Sequence, residues 1–154
     1  VFRTMGGVMG MCLCNDRRWP ETWRVMGMQD VDIVMLGYNT PVYNSVAAES
    51  PHLRMFHNHI SMQAGAYQNG TWAVGVAKAG MEGGVDMMAG SCIIAPTGEI
   101  VALATTSEDE VVVAECDLDR GRYIRDTVFN FAQHRRIEAY GVITERTEAI
   151  APPE

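Results

Sequence analysis

An apolar run that stops abruptly at a thiol constrains this chain more than any other feature. Val8 to Cys14 shows no polar/apolar alternation, and Gly6-Gly7 precede it. A short run of this kind is expected to form a central strand covered on both faces. Asn15-Asp16-Arg17-Arg18 follow at once, and Pro20 suits the first turn of a helix, where its missing N–H costs nothing. Glu21 then complements the helix dipole, and Trp23 and Met26 are expected to face inward. The reading is a strand, a tight turn with Cys14 at its rim, and a helix over 20–28. Val31 to Leu36, broken only by Asp32, reads as a second buried strand, which completes a βαβ-like unit.

Such a turn suits a reactive thiol. A helix N-terminus and Arg17 or Arg18 favour the thiolate, and the backbone N–H of Asn15 is placed to help bind an oxyanion. Two adjacent arginines are not both expected in a core, so at least one is available to grip a carboxylate through paired hydrogen bonds. The plainer alternative is packing. Cys12 and Cys14 share a face on a strand, free cysteines commonly fill cores, and Arg17-Arg18 then form a solvated corner. Spacing alone leaves both readings open.

The run Cys14-Asn15-Asp16-Arg17-Arg18-Trp19-Pro20-Glu21 resembles the nucleophile motif of the nitrilase (carbon–nitrogen hydrolase) superfamily. The alignment selects Cys14 over Cys12. Gly90-Ser91-Cys92-Ile93-Ile94-Ala95-Pro96-Thr97-Gly98-Glu99-Ile100 resembles the late Ser–Ile–x–Pro–x–Gly hairpin of the same superfamily. Asn15 replaces the common aromatic and Arg17 adds a second arginine. With Leu36-Gly37-Tyr38-Asn39-Thr40-Pro41 and Phe56-His57-Asn58-His59, the chain closely resembles N-carbamoyl-D-amino-acid amidohydrolases, over about 1–147. The tail 148–154 matches nothing in that pattern.

The resemblance implies an α/β fold, the C-terminal half of a four-layer αββα sandwich. It implies hydrolysis of N-carbamoyl-D-amino acids to the D-amino acid, carbon dioxide and ammonia through a thioester on Cys14, with no cofactor. It places Asn15, Arg17, Arg18, Asn39 and Thr40 around the substrate. The chemistry of the family also needs a Glu as base and a Lys for the tetrahedral intermediate, both ahead of the cysteine. Val1 to Leu13 holds neither, and Lys78 is the only lysine. The expectation is therefore the nucleophile half of a longer enzyme, inactive alone and homo-oligomeric when whole. Two alternatives stand: another carboxylate-recognising amidohydrolase of the β-ureidopropionase kind, and an inactive half-domain whose uncovered apolar face promotes association.

Composition narrows the partners. The net charge of −7 argues against nucleic acid or an anionic membrane, and no apolar stretch is long enough to span a bilayer. Cys12, Cys14, Cys92 and Cys116 show neither zinc spacing nor a dense disulfide pattern, which fits a reduced, cytoplasmic setting. His57 and His59 are two apart, unlike the four-residue spacing of helical zinc ligands, so no metal is expected.

Further along, 37–51 is loop-rich, with Asn39, Pro41, Asn44 and Pro51. Over 51–68, Leu53, Phe56, Ile60, Ala64 and Tyr67 recur three or four apart, one face of a helix of about five turns. Asn69-Gly70 ends it. Strands are expected over 71–77, 91–95, 99–104 and 111–116. A glycine-rich loop is expected over 78–86, a short helix over 118–129, and an extended arm from Asn130 onward, where Arg135-Arg136 favour water.

Overall fold

The computed structural model describes residues 1–43 and 49–153. Asn44, counted above in the loop, lies outside them. The chain runs β1 (Phe2–Thr4), β2 (Gly7–Leu13), a 3-10 turn (Cys14–Arg18), α1 (Pro20–Gly27) and β3 (Ile33–Tyr38). Next come α2 (Pro51–Asn69), β4 (Trp72–Ala77), β5 (Met81–Glu82), β6 (Val85–Asp86), β7 (Cys92–Ile94) and β8 (Ile100–Leu103). It closes with α3 (Arg120–Asp126), α4 (Phe131–His134), a 3-10 turn (Ile137–Ala139) and α5 (Gly141–Glu145).

One mixed sheet has the order β1-β2-β3-β4-β7-β8. β2, β3 and β4 are parallel, with Met9 opposite Ile33 and Ile33 opposite Trp72. β1, β7 and β8 join antiparallel. The strand–helix–strand unit expected from the first apolar runs is present, with α2 carrying the second crossover. Parallel strands need such crossovers, and both helices therefore lie against the sheet.

α1 and α2 cover one face. Val34, Leu36, Ala73, Cys92 and Ile94 pack there against Trp23, Met26, Met62 and Ala66. Trp23 and Met26 face inward as their spacing predicts. On the other face Ile33, Trp72, Val74 and Ile93 meet Val112, Ala114, Cys116 and Leu118. That covering segment does not reach the end of β2 beside Cys14, where Met11 and Leu13 are 65% and 69% exposed. The expectation that β2 is covered on both faces thus holds for one face only.

Asp32, the polar interruption, sits at the entry to β3, which begins at Ile33 rather than Val31. Its carboxylate accepts from the Val8 N–H at 2.9 Å and pairs with Arg125 of α3 at 3.1 Å. The interruption is a tie between strand ends, bought with a charge pair.

α2 is the helix expected over 51–68, but its apolar stripe is not the side that packs. Leu53, Phe56, Ile60 and Tyr67 point outward, whereas Arg54, Asn58, Met62, Gly65, Ala66 and Asn69 are buried. Gly65 is why this side packs: a Cβ there would lie 2.2 Å from the Trp23 ring, so the glycine lets α1 and α2 close up. Three further expectations change. The glycine-rich loop holds a small β5–β6 ribbon, turned by Gly83 and Gly84 at φ +58 and +82. Residues 111–116 belong to no strand of the described sheets. The arm beyond Asn130 forms the short helices α4 and α5, and Arg135 leans on Met28 and the Tyr140 ring.

Candidate active site

Three parallel strands end at one edge of the sheet. β2 delivers Cys14 there, β3 delivers Asn39 and Thr40, and β4 delivers Lys78. The carboxyl edge of parallel strands is where open α/β sheets hold ligands.

Cys14 opens the 3-10 turn and is half-buried, with φ +49. That left-handed conformation is costly for a residue with a Cβ, and such strain concentrates at functional sites. The turn is held from three directions. The Asp16 carboxylate accepts from the Leu13 N–H at 3.0 Å, and the Trp23 Nε1–H donates to the Arg17 carbonyl at 2.8 Å. Arg17 Nη1 donates to the Cys14 carbonyl at 2.5 Å.

Arg17 is 1% exposed. Its Nε donates to Asn58 Oδ1 at 2.8 Å and its Nη2 to Thr40 Oγ1 at 3.1 Å, while the guanidinium lies 4.0 Å from the Tyr38 ring centroid. Asn58 is fully buried and its Nδ2 donates to the Tyr38 hydroxyl at 3.2 Å. This placement differs from the expectation for Arg17. A guanidinium with so little surface, committed to three neutral acceptors, has no face left for a substrate carboxylate. Arg18 differs: it is half-buried, and no described residue pairs with its guanidinium. Asn15 and Asn39 are exposed, and Thr40 is buried as the acceptor for Arg17.

Burial disfavours the thiolate at Cys12 and Cys92. Cys12 is pushed up to about 11 by burial and then by Asp16, against the pull of Arg17. Cys92 is pushed up to about 11 by burial as well. Tyr38 is raised to about 12 by burial and stays a phenol. Burial also lowers the Arg17 guanidinium from its ordinary value, opposed by Tyr38. It stays protonated at neutral pH. Cys12 is thus a poor nucleophile.

Asn58 and Tyr38 belong to this site, and residue spacing gave neither a role. The signal lay in the i, i+4 series Arg54, Asn58, Met62, which is the buried side of α2. His57 instead pairs with Glu49, and His59 Nε2 lies 3.2 Å from the Gly90 carbonyl. Among the described residues no group of three His, Cys, Asp or Glu side chains could hold a metal ion, and no helix is long and apolar enough to cross a membrane. The four cysteines are unpaired. A cavity of about 610 Å³ lies elsewhere, between α1 and the C-terminal arm, lined by Arg24, Phe131 and Arg135 among others.

Cys14 thus stands on a strained turn at the carboxyl edge of a mixed α/β sheet, a position that suits a reactive thiol. Residues 1–126 match the carbon-nitrogen hydrolase family, and the chain belongs to it. A probable nitrilase of Schizosaccharomyces pombe is 23% identical over 140 residues, covering 91% of this chain and 48% of that protein. An N-carbamoylputrescine amidase of Oryza sativa subsp. japonica is 29% identical over 151 residues, covering 93% and 49%. The crystal structure of a carbon-nitrogen hydrolase from Helicobacter pylori G27 superposes with a TM-score of 0.80 at 24% identity, covering 93% of this chain and 51% of that one. The mixed α/β fold expected from the resemblance is therefore that of nitrilase-like structures. The chain spans about half the length of the curated relatives it matches.

Proposed function

We propose that this chain carries the nucleophile and the carboxylate grip of an amidohydrolase acting on N-carbamoyl-D-amino acids. The observation that carries the reading is Arg18: a half-buried guanidinium with no partner among the described residues, four residues from a cysteine on a strained turn. A ureido group is supported by the N-carbamoyl substrate in the name of the rice relative, and a carboxylate beside it by Arg18 and Asn39.

In this reading the Cys14 thiolate adds to the ureido carbonyl, with the Asn15 N–H close to the developing oxyanion. The C–N bond to the amino acid breaks as its nitrogen takes a proton, leaving a carbamoyl thioester on Cys14. Water then adds, the C–S bond breaks, and the carbamic acid released decomposes to carbon dioxide and ammonia. The Glu and Lys implied by the resemblance are assigned to the remaining half of the relatives' length. Four unpaired cysteines support a reducing, cytoplasmic setting. The outward apolar stripe of α2 supports a homo-oligomer, which sedimentation tests.

The test is ammonia release by the enzyme that contains this chain, with N-carbamoyl-D-alanine, N-carbamoyl-β-alanine and N-carbamoylputrescine compared. Preference for the D-amino acid is expected. Preference for N-carbamoyl-β-alanine favours a β-ureidopropionase-like enzyme, and preference for the putrescine compound removes the carboxylate role of Arg18. Arg18→Ala is expected to raise KM at least about tenfold, from the loss of charged hydrogen bonds of about 1.5–3 kcal/mol each.

A further inference from the structure

We propose that Asn58 is a positioning residue for Cys14: it orients Arg17, whose guanidinium clamps the carbonyl of the nucleophile and keeps an uncompensated positive charge beneath the thiol. The proposal rests on the reading of Cys14 as nucleophile.

The left-handed backbone of Cys14 needs a restraint, and Arg17 Nη1 provides one by donating to the Cys14 carbonyl. Arg17 can do this only if its own plane is fixed. Asn58 and Thr40 take its Nε and Nη2, and the Tyr38 ring covers its face at 4.0 Å. The amide of Asn58 has one workable orientation. A guanidinium can only donate, so Oδ1 faces Arg17, and Nδ2 then donates to the Tyr38 hydroxyl. Asn58 is 0% exposed and belongs to α2, so the nucleophile turn is braced by an element distant in sequence.

The chemistry of position 58 is the informative part. Buried guanidinium groups are usually paired with a carboxylate. Here the acceptors among the described residues are an amide, a hydroxyl and a peptide carbonyl, all neutral. An aspartate of the same shape at position 58 would satisfy the same Arg17 N–H and cancel its charge. Asn58 keeps the bond and leaves the charge available to a thiolate. Other titratable or charged groups around the network are Asp16 and Arg18 in the turn, Cys12 on β2, Tyr38 on β3, Cys92 on β7, Arg54, His57 and His59 on α2, and Glu49, which pairs with Arg54 and His57. They are the same in every variant below.

The experiment is alkylation of the whole chain by iodoacetamide between pH 5 and 10, read at the Cys14 and Cys12 peptides by mass spectrometry. Asn58→Asp is expected to move the midpoint of Cys14 alkylation upward by about one pH unit. Asn58→Leu removes the brace and is expected to slow Cys14 alkylation several-fold at pH 8. Far-UV circular dichroism and a cooperative melt check each fold. Unchanged Cys14 profiles in folded Asn58→Asp and Asn58→Leu overturn the proposal. If neither folds, Thr40→Val carries the test, because it removes another anchor of Arg17 without adding charge. Slower alkylation at an unmoved midpoint is then expected, and an unchanged rate overturns the proposal. Failure of the underlying reading looks different: Cys14 in the unaltered chain would then react no faster than Cys12.

Discussion

Gly65→Ala inverts the usual rule for glycine in a helix. Replacing a mid-helix glycine by alanine ordinarily stabilises by about 0.8–1 kcal/mol. At Gly65 the new Cβ would lie 2.2 Å from Trp23 Cδ2 and 2.4 Å from Cε2. Carbon contacts settle at about 3.5–4 Å, so the overlap exceeds 1 Å. Trp23 is 2% exposed and its Nε1–H is held by the Arg17 carbonyl, so the indole has no free direction. Overpacking costs about 1–3 kcal/mol, and losing the indole bond adds about 0.5–1.5 kcal/mol. Strain therefore outweighs propensity, and a net loss of about 1–3 kcal/mol is expected. Urea unfolding followed by far-UV circular dichroism measures it as a lower midpoint at unchanged slope. Because Trp23 holds Arg17, Cys14 alkylation should slow in the same variant. A Gly65→Ala chain more stable than the parent refutes the α1–α2 packing described here.

Three other outcomes are expected. Cys12 and Cys92 are raised to about 11 by burial, and an unfolded chain ionises its thiols from about 9, so it binds fewer protons than the folded chain in between. Their contribution to stability is present below about pH 9 and lost as pH climbs toward 11; urea midpoints at pH 8.5 and 10.5 check this, and a rise at the higher pH contradicts it. On α2, Leu53→Gln and Phe56→Gln should change stability by no more than about 0.5 kcal/mol, whereas Met62→Ala should cost about 2–5 kcal/mol; the reverse order would restore the apolar stripe as the packed face. Arg125→Met leaves the half-buried Asp32 without its cation and should cost about 1–3 kcal/mol in a thermal melt, less than a fully buried pair.

The strand that ends at Cys14, the helix after Pro20 and the hairpin around Gly98 were legible because each is written locally. An apolar run, a proline at the first helical position and a Pro-Thr-Gly turn need no distant partner to be read. The roles of Arg17 and Arg18 were not separable that way. Adjacent arginines look alike in sequence, and only the arrival of α2 decides which of them is buried. The resemblance to amidohydrolases located the turn correctly but carried no information on that division.

The outward apolar face of α2 and the buried Asn58 have one physical cause. Periodicity reveals that a helix has an apolar stripe, not that the stripe meets the sheet. The first turns of α2 lie near the carboxyl edge, where strands end and their peptide groups lose ladder partners. The side facing that edge must supply polar atoms as well as bulk. Arg54 Nε donates to the Pro41 carbonyl at 3.1 Å, and Asn58 serves Arg17 and Tyr38, while Met62 and Ala66 fill the core further along. A buried polar group left unpaired costs about 1–3 kcal/mol, comparable to what one exposed leucine or isoleucine forgoes. With Arg54 and Asn58 turned outward, both the loop after β3 and the Arg17 guanidinium would lose their partners. Leu53, Phe56 and Ile60 therefore face away from the sheet, and the nucleophile turn and the β3 loop are held by the opposite side of the helix.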